Sequence, residues 1–295
     1  EEVSMRRIIC KNGNDYLIFG ESYSPFVLLE ATGLYEVSAE VYQTENGMLD
    51  GSTYIGSNVK KRNIVLTVSN KNLHGVNRQR LYDVFKPKTL CTLIYEESDG
   101  SFNEKRSIDY YVESIVNDGV GNSNRTTTIS LICPDSYFSD TSDTNVTMTG
   151  WDGLFTFPHA FKAEQFATKR KDKLMVINNA STSDFVGMEI SIKAEGNALN
   201  PKVLNVTQDA YIKVGTSLKP LNMVYGDEVI ISTLQNNKNV YFIHDGVKTI
   251  INEYVEEGSN YIQLLGGDNT IRYFSDEGED NLLVSVKFRQ KYLGV

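Results

Sequence analysis

The fold of this chain is indicated most directly by the end of its sequence, Val284-Ser285-Val286-Lys287-Phe288-Arg289-Gln290-Lys291-Tyr292-Leu293-Gly294-Val295. Apolar side chains at Val284, Val286 and Phe288 alternate with polar ones. Successive side chains of a β-strand point to opposite faces of its sheet, so this alternation is typical of a half-buried strand. We therefore predict a strand that runs to the last residue, so that a strand and not a tail closes the protein.

Short strands of the same kind recur through the second half of the chain. They are predicted at Leu174–Ile177, Met188–Lys193, Lys202–Val206, Ala210–Val214, Glu228–Thr233, Val240–His244, Ile262–Leu265, Thr270–Phe274 and Leu282–Phe288. Several short strands at close spacing, separated by turn residues, are typical of a β-sandwich. The second half is therefore predicted to be a sandwich.

The first half is also predicted to consist mainly of strands. The segment Arg62–Val68 is predicted to be a strand, with Ile64, Leu66 and Val68 on one face and Asn63, Val65 and Thr67 on the other. One amphipathic helix is predicted at Leu73–Phe85. The polar segment Tyr42–Asn58 is predicted to be a long loop, and loops of this length are usually functional or ordered by a partner.

Composition supports an all-β protein of two domains. The chain has 295 residues, which exceeds the usual size of one domain, and its 17 tyrosines and 13 phenylalanines favour strands. Residues 139–150 are almost entirely Ser, Thr, Asp and Asn, without the apolar spacing of a core strand. We therefore predict a first domain over residues 1–139, a linker over 140–150 and a second domain over 151–295.

The charge of the chain argues against tight binding to nucleic acid. The formal net charge is −9, whereas binding to DNA phosphates depends on Lys and Arg side chains that displace counterions. No apolar run approaches the ~20 residues of a membrane-spanning helix. We therefore expect no membrane partner and no tight binding of DNA.

The sequence indicates no catalytic, cofactor-binding or metal-binding residue. The three histidines, His74, His159 and His244, are not spaced as metal ligands, and no nucleophile motif accompanies them. The acidic run at residues 276–280 lacks the alternating spacing of a calcium loop and is predicted to be an exposed turn. The three cysteines are too widely spaced for a zinc site and are predicted to be buried thiols. No enzymatic activity is expected.

Several motifs, in their order along the chain, resemble the distal tail proteins of phages. In the first half they are Asp50-Gly51-Ser52-Thr53-Tyr54, Arg62-Asn63-Ile64-Val65-Leu66, Arg78-Gln79-Arg80-Leu81-Tyr82-Asp83-Val84-Phe85, Ile108-Asp109-Tyr110-Tyr111-Val112-Glu113-Ser114 and Ile129-Ser130-Leu131-Ile132-Cys133-Pro134-Asp135-Ser136-Tyr137-Phe138. In the second half they are Gly226-Asp227-Glu228-Val229-Ile230-Ile231-Ser232-Thr233 and Leu264-Leu265-Gly266-Gly267-Asp268-Asn269. The resemblance spans nearly the whole chain.

The resemblance implies a structural role at the distal end of a phage tail. Members of the family form a hexameric ring between the tail tube and the tail-associated fibre protein. It implies a first domain similar to the tail-tube fold, a β-sandwich or split barrel that builds the ring. It also implies a galectin-like second domain that projects outward and docks receptor-binding or other baseplate proteins. The protein would be assembled in the host cytoplasm and located in the virion.

Four residues of the matching motifs are predicted for the ring interface: Asp50, Gly51, Tyr54 and Arg62. A contact between different surfaces of neighbouring copies closes naturally into a ring. The segment Tyr42–Asn58, which contains three of these residues, would suit such a contact.

An alternative hypothesis is a tail protein that binds carbohydrate of the host wall through its second domain. Trp151, the sole tryptophan, offers a flat apolar surface on which a sugar ring can stack. Its position at the start of the second domain favours packing at the domain junction instead. A wall hydrolase would need a pair of carboxylates or a metal site in a cleft, and the sequence displays neither.

Overall fold

The structure is a computed structural model, and it describes residues 5–20, 24–45, 47, 50–70, 75–98, 103–117, 125–148, 151–153, 167–169 and 173–295. Strands make up 61% and helices 6% of it, which confirms the predicted all-β class. The chain divides into two compact units. The first unit consists of Glu1–Thr141 and Lys291–Val295, and the second consists of Ser142–Gln290.

The first part of the chain forms one described helix and ten described strands. They are β1 (Met5–Asn12), β2 (Asp15–Phe19), β3 (Phe26–Thr32), β4 (Ala39–Glu45), β5 (Ser52–Val59), β6 (Arg62–Asn70), α1 (Gly75–Val84), β7 (Cys91–Ser98), β8 (Asn103–Asn117), β9 (Arg125–Cys133) and β10 (Phe138–Asp140). The main sheet has the order β2-β1-β7-β8-β9-β6-β3 and curls into a half-barrel.

The alternating strands of this sheet bury one face, as the sequence predicts. Ile64, Leu66 and Val68 of β6 are fully buried, together with core residues of the neighbouring strands such as Leu93 and Leu131. Helix α1 covers part of this core, because Leu81 and Val84 face inward and Phe85 follows them. The predicted helix is therefore confirmed, with described bounds that begin at Gly75.

The prediction of a long loop at Tyr42–Asn58 is wrong, because most of this segment is an antiparallel hairpin. Strands β4 and β5 pair from Ala39↔Val59 to Glu45↔Ser52, and no other strand of the described residues joins their sheet. The alternation that marks a half-buried strand is missing from this sequence because neither face of the hairpin is buried in its own unit.

The second unit contains two larger sheets and several short ladders. Its strands are β11 (Thr144–Thr147), β12 (Trp151–Gly153), β13 (Ala167–Lys169), β14 (Leu174–Asn179), β15 (Phe185–Val186), β16 (Met188–Ala194), β17 (Ala198–Leu199), β18 (Lys202–Asn205), β19 (Ala210–Lys213), β20 (Asn222–Met223), β21 (Glu228–Leu234), β22 (Asn237–His244), β23 (Val247–Ile250), β24 (Leu264–Leu265), β25 (Gly267–Phe274) and β26 (Leu282–Phe288). Short 3-10 helices lie at Asn252–Tyr254 and Glu279–Asn281.

The two larger sheets of this unit enclose a common core. One has the order β11-β26-β16-β21-β22-β23 and the other β14-β25-β18-β19. Ile190 and Val286 from the first sheet and Val203 and Ile271 from the second are fully buried in the same cluster. The arrangement is a two-sheet sandwich, and all of the strands predicted for this half are present, although Ile262–Leu265 is reduced to Leu264–Leu265.

The predicted linker over residues 140–150 is in part a strand. Strand β11 pairs with β26, from Thr144↔Phe288 to Thr147↔Ser285. A polar strand is stable there because it lies at the edge of the sheet and leaves one side exposed. The boundary between the units falls at Thr141 and Ser142.

The predicted last strand ends earlier than expected. Strand β26 ends at Phe288, and a separate strand, β27 (Lys291–Tyr292), pairs with β10 of the first unit. Residues Lys291–Val295 therefore belong to the first unit, whereas the prediction placed them in the second domain. The second unit is inserted in the chain between β10 and β27.

Candidate assembly surfaces

The hairpin of β4 and β5 is the most exposed pair of strands in the first unit. All seven residues of β4 are exposed, and β5 is exposed except at two half-buried positions. A two-stranded hairpin without a packed face is marginally stable in water. This hairpin therefore presents backbone and side chains that the subunit itself does not cover.

Large apolar side chains lie on this exposed hairpin. The exposed fractions are 56% for Val41, 63% for Tyr54 and 67% for Ile55. The cross-strand register, with Val41 opposite Ser57 and Gln43 opposite Tyr54, puts Val41 and Tyr54 on the same face. Clustered exposed apolar residues mark interaction surfaces more often than isolated ones do.

Three of the four residues predicted for the ring interface belong to this hairpin. Asp50 and Gly51 lie in the connection before β5, where Gly51 has a φ of +94° that favours glycine. Tyr54 lies in β5, and its hydroxyl is 2.8 Å from the Ser57 hydroxyl. The hairpin is also acidic, since Glu40, Glu45 and Asp50 are its charged residues.

Arg62, the fourth predicted residue, is buried in its own subunit. Its guanidinium donates hydrogen bonds to five backbone carbonyls: Gly33 (2.6 Å), Leu34 (3.2 Å), Glu36 (2.9 Å), Ser136 (3.2 Å) and Leu293. It also lies over the Phe138 ring, 5.0 Å from the centroid. Burial lowers the pKa of Arg62 from its ordinary value. Arg62 therefore joins segments of the first unit, and the structure separates it from the exposed residues of the hairpin.

A second arginine holds the returning end of the chain. The guanidinium of Arg106 lies 3.8 Å from the centroid of the Tyr292 ring and donates a hydrogen bond to the Gly294 carbonyl. Lys291 forms an ion pair of 2.6 Å with Asp135. These contacts could not be predicted from the sequence, because nothing local in residues 291–295 indicates the distant strand with which they pair.

A surface that is rich in cations lies around helix α1. Arg78, Arg80, Lys86 and Lys88 are exposed on the helix and just after it, and Lys11 is exposed on β1. The side-chain amide of Asn12 donates to the Asp83 carbonyl at 2.8 Å, which joins the end of β1 to the end of the helix. We call the five cations the cationic patch. Among the described residues, no carboxylate lies within ion-pair distance of them.

A histidine and an aspartate are paired in the second unit. Nδ1 of His244 lies 2.7 Å from Oδ1 of Asp227, and Phe242 stacks on the imidazole at 5.9 Å. The hydrogen bond that His244 donates to Asp227 raises the pKa of His244 above its ordinary value. His244 precedes the turn at Asp245 and Gly246 that joins β22 to β23.

Of the other residues singled out in the sequence, the structure describes some and not others. Trp151 begins strand β12, which pairs with β13, but its side chain lies outside the described part. His74 and His159 also lie outside the described residues. All three cysteines are buried free thiols, as predicted, and burial raises the pKa of Cys133 to about 12.

Neither a metal site nor a membrane-spanning helix is present among the described residues. No three His, Cys, Asp or Glu side chains of this part of the chain are placed to hold a metal ion. In the same residues, no helix has the length and apolar character required to cross a membrane.

The fold is similar to those of solved phage proteins, although the sequences differ widely. No family model and no curated protein matches the chain. Among solved structures, the Dit protein (gp 19.1) of phage SPP1, described as a paradigm of the hub adsorption apparatus in phages infecting Gram-positive bacteria, matches with a TM-score of 0.67. The sequences are 12% identical, and the match covers 96% of this chain and 98% of that one.

Two structures of the phage p2 baseplate in its activated conformation also match. The structure with Ca and the structure with Sr both give a TM-score of 0.52, with identities of 10% and 11%. Each match covers 99% of this chain and 100% of the other. The chain therefore has the fold of phage hub and baseplate proteins. The predicted resemblance to distal tail proteins is confirmed at the level of the fold.

Proposed function

We propose that this protein is a non-enzymatic structural component of a phage tail tip, a hub in which six copies form a ring. The observation that carries the proposal is the match to the SPP1 Dit hub protein, which extends over almost the whole length of both chains. Function depends on specific sites and not on the fold alone. The exposed surfaces of this chain must therefore supply the contacts of the hub.

The exposed hairpin supports a role in ring formation. Tyr54 and Ile55 present large apolar surfaces to solvent, at positions where the subunit offers no cover. Burial of apolar side chains between copies contributes favourable free energy, and a contact between two different surfaces propagates around a ring. Asp50, Gly51 and Tyr54 would belong to this contact, and Arg62 would support the hairpin from within the subunit.

The proposed ring joins the tail tube protein to the tail-associated fibre protein at the distal end of the virion tail. The first unit would form the ring, and the second unit would dock baseplate or receptor-binding proteins. DNA would pass through the ring as cargo. The net charge of −9 suits this passage, because a strongly basic lumen would retain the duplex.

The test is the mass of the purified full-length chain in solution. Light scattering at several concentrations, with negative-stain images of the same sample, should give the mass of six subunits of 33.2 kDa and particles with a central hole. A monomer at every concentration would contradict a hub that assembles by itself. Retention of the full-length chain on host wall polysaccharide would then favour the alternative of carbohydrate binding through the second unit.

A further inference from the structure

The hairpin and the cationic patch are attached to different strands of the main sheet. The hairpin immediately precedes Arg62, the first residue of β6, whereas helix α1 follows Asn70, the last residue of that strand. The nine residues of β6 span about 30 Å at ~3.3 Å per residue. Four antiparallel pairings separate β6 from β1, which carries Lys11, and the end of helix α1 is joined to β1 by the hydrogen bond from Asn12 to the Asp83 carbonyl.

The two surfaces are complementary in charge. Between Ala39 and Val59 the hairpin contains the carboxylates Glu40, Glu45 and Asp50 and no Lys or Arg. The segment from Arg78 to Lys88 contains four cations and one carboxylate, Asp83, which accepts a hydrogen bond from Gln79 at 3.0 Å. This concentration of cations stands out in a chain whose net charge is −9.

The two surfaces also match in their apolar content. Three large side chains accompany the cationic patch, with exposed fractions of 49% for Tyr16, 41% for Tyr82 and 53% for Leu90. On the hairpin, Val41, Tyr54 and Ile55 are exposed. Aromatic residues and arginine are enriched at the centres of protein interfaces, where apolar contact supplies the free energy and charge sets the register.

We propose that the cationic patch is the surface on which the acidic hairpin of a second copy of this chain docks. The inference rests on the proposed hub and names the receiving surface of its subunit contact. A contact between these two different surfaces of neighbouring copies is heterologous, and such contacts close into a ring when the rotation between copies permits. The carboxylates of the hairpin pair with the cations of the patch, while the apolar side chains of both surfaces leave water.

The experiment reverses the charge of each surface and then of both. One variant carries Arg78→Glu and Arg80→Glu, a second carries Glu40→Lys and Glu45→Lys, and a third carries all four changes. Each two-residue reversal should raise the concentration at which half of the chains are assembled by about tenfold or more, because like charges then face each other. The four-residue variant should recover to within about threefold of the unmodified chain, because opposite charges face each other again. Assembly of the unmodified chain should also weaken as salt is added.

The matched control for the cation reversal is Lys238→Glu with Lys248→Glu, at two exposed residues of the second unit. It changes the net charge by the same amount as Arg78→Glu with Arg80→Glu. It should assemble like the unmodified chain. Circular dichroism should show that every variant is folded. Light scattering over a concentration series gives the midpoints, and negative-stain images show whether the particles are rings.

The outcomes separate this inference from the proposed function. If the unmodified chain forms rings and the reversed variants assemble equally well, the inference is wrong and the hub stands. If the cation reversal abolishes assembly but the four-residue variant does not recover, another acidic surface occupies the patch, and the hairpin is excluded as its partner. If the unmodified chain forms no assembly at any concentration, both proposals fail.

Discussion

Arg62 connects three separate stretches of the first unit through one guanidinium. Its five carbonyl acceptors lie before the hairpin, after β9 and in the last residues of the chain. The residue is 6% exposed, so these carbonyls have little access to water. A buried carbonyl that loses its donor costs about 1–3 kcal/mol, which makes the side chain important for stability.

We predict that Arg62→Ala lowers the free energy of unfolding of the first unit by about 3 kcal/mol or more, because several acceptors lose their donor together. Arg62→Lys should recover part of the loss, since an ammonium group has three donors and reaches fewer carbonyls. Hydrogen exchange of β6 peptides across a urea series reports on this unit alone. The control Arg272→Ala changes an exposed arginine and should leave that exchange unchanged. Equal effects of the two alanine variants would contradict a structural role for Arg62.

His244 gives a pH-dependent prediction for the second unit. The carboxylate of Asp227 raises the pKa of His244 in the folded state, so the charged imidazolium stabilises the second unit. This stabilisation is fully present below the ordinary pKa of about 6.5. It is lost as the pH rises through the higher pKa of the folded state. An NMR titration should therefore place the pKa of His244 above that ordinary value, with the signal assigned by a His244→Gln variant.

Asp227→Asn should lower the pKa of His244, because the neutral amide removes the charge that favours the imidazolium. Asp245→Asn is the matched control, since its carboxylate is more exposed and lies 3.5 Å from Nε2, and it should lower the pKa less. A pKa at or below the ordinary value in the unmodified chain would show that the pair does not stabilise the charged form.

Among the elements of the first unit, the hairpin of β4 and β5 differs from the main sheet because its apolar side chains are not part of the core. Strand β6 buries its apolar face in the core, whereas Val41, Tyr54 and Ile55 of the hairpin remain exposed. Exposed side chains contribute little to the stability of the subunit, so their apolar character requires another explanation. Contact with a second copy provides one.

We predict that the double variant Tyr54→Ser, Ile55→Ser does not assemble. The free energy of unfolding of its monomer should change by no more than about 0.5 kcal/mol. The loss follows from the apolar area that can no longer be buried between copies. Light scattering measures assembly, and calorimetry of the dilute chain measures stability. Val247→Ser with Ile250→Ser, at exposed positions of β23, is the control and should assemble normally. A hairpin variant that assembles normally would contradict the role of this element in the ring.

At the scale of the whole molecule, the second unit is an insertion in the first. The chain leaves the first unit after Thr141 and returns to it at Lys291. Strands β10 and β27 pair antiparallel on either side of the insertion, through Phe138↔Tyr292 and Ser139↔Lys291. Each unit has its own buried cluster, so each has the core that independent folding requires.

We therefore predict that the first unit folds without the second. Replacing Ser142–Gln290 by a short Asn-Gly turn would join β10 to β27 as a hairpin, a connection that antiparallel strands accept readily. Circular dichroism should show a β-rich spectrum, and thermal unfolding should be cooperative. A chain that stops at Thr141 should unfold at a lower temperature, because Arg62 and Arg106 lose the carbonyls of Leu293 and Gly294. An unfolded joined protein would show that the first unit depends on the second.

Local patterns along the sequence are sufficient to predict the fold class, most of the strands and the helix. Ile64, Leu66 and Val68 reveal their strand by alternation, and Leu81 and Phe85 mark the helix by their spacing of four residues. These patterns are local, because they depend only on which side chains of a single element face the core. All five residues are buried in the structure. The resemblance in motif order also led to the hub fold, since motifs keep their order along the chain.

The pairing of these elements and the burial of polar residues depend on contacts between distant parts of the folded chain. Tyr292 pairs with Phe138, and Arg62 donates to Leu293, across intervals that no local pattern encodes. The hairpin at Ala39–Val59 escaped prediction because its sequence lacks the alternation that burial of one face imposes. A side chain reports its own tendency to be buried, but its partners are set by the whole folded chain. That is why an arginine predicted for an interface lies inside the subunit, while the apolar residues of an expected loop lie on its surface.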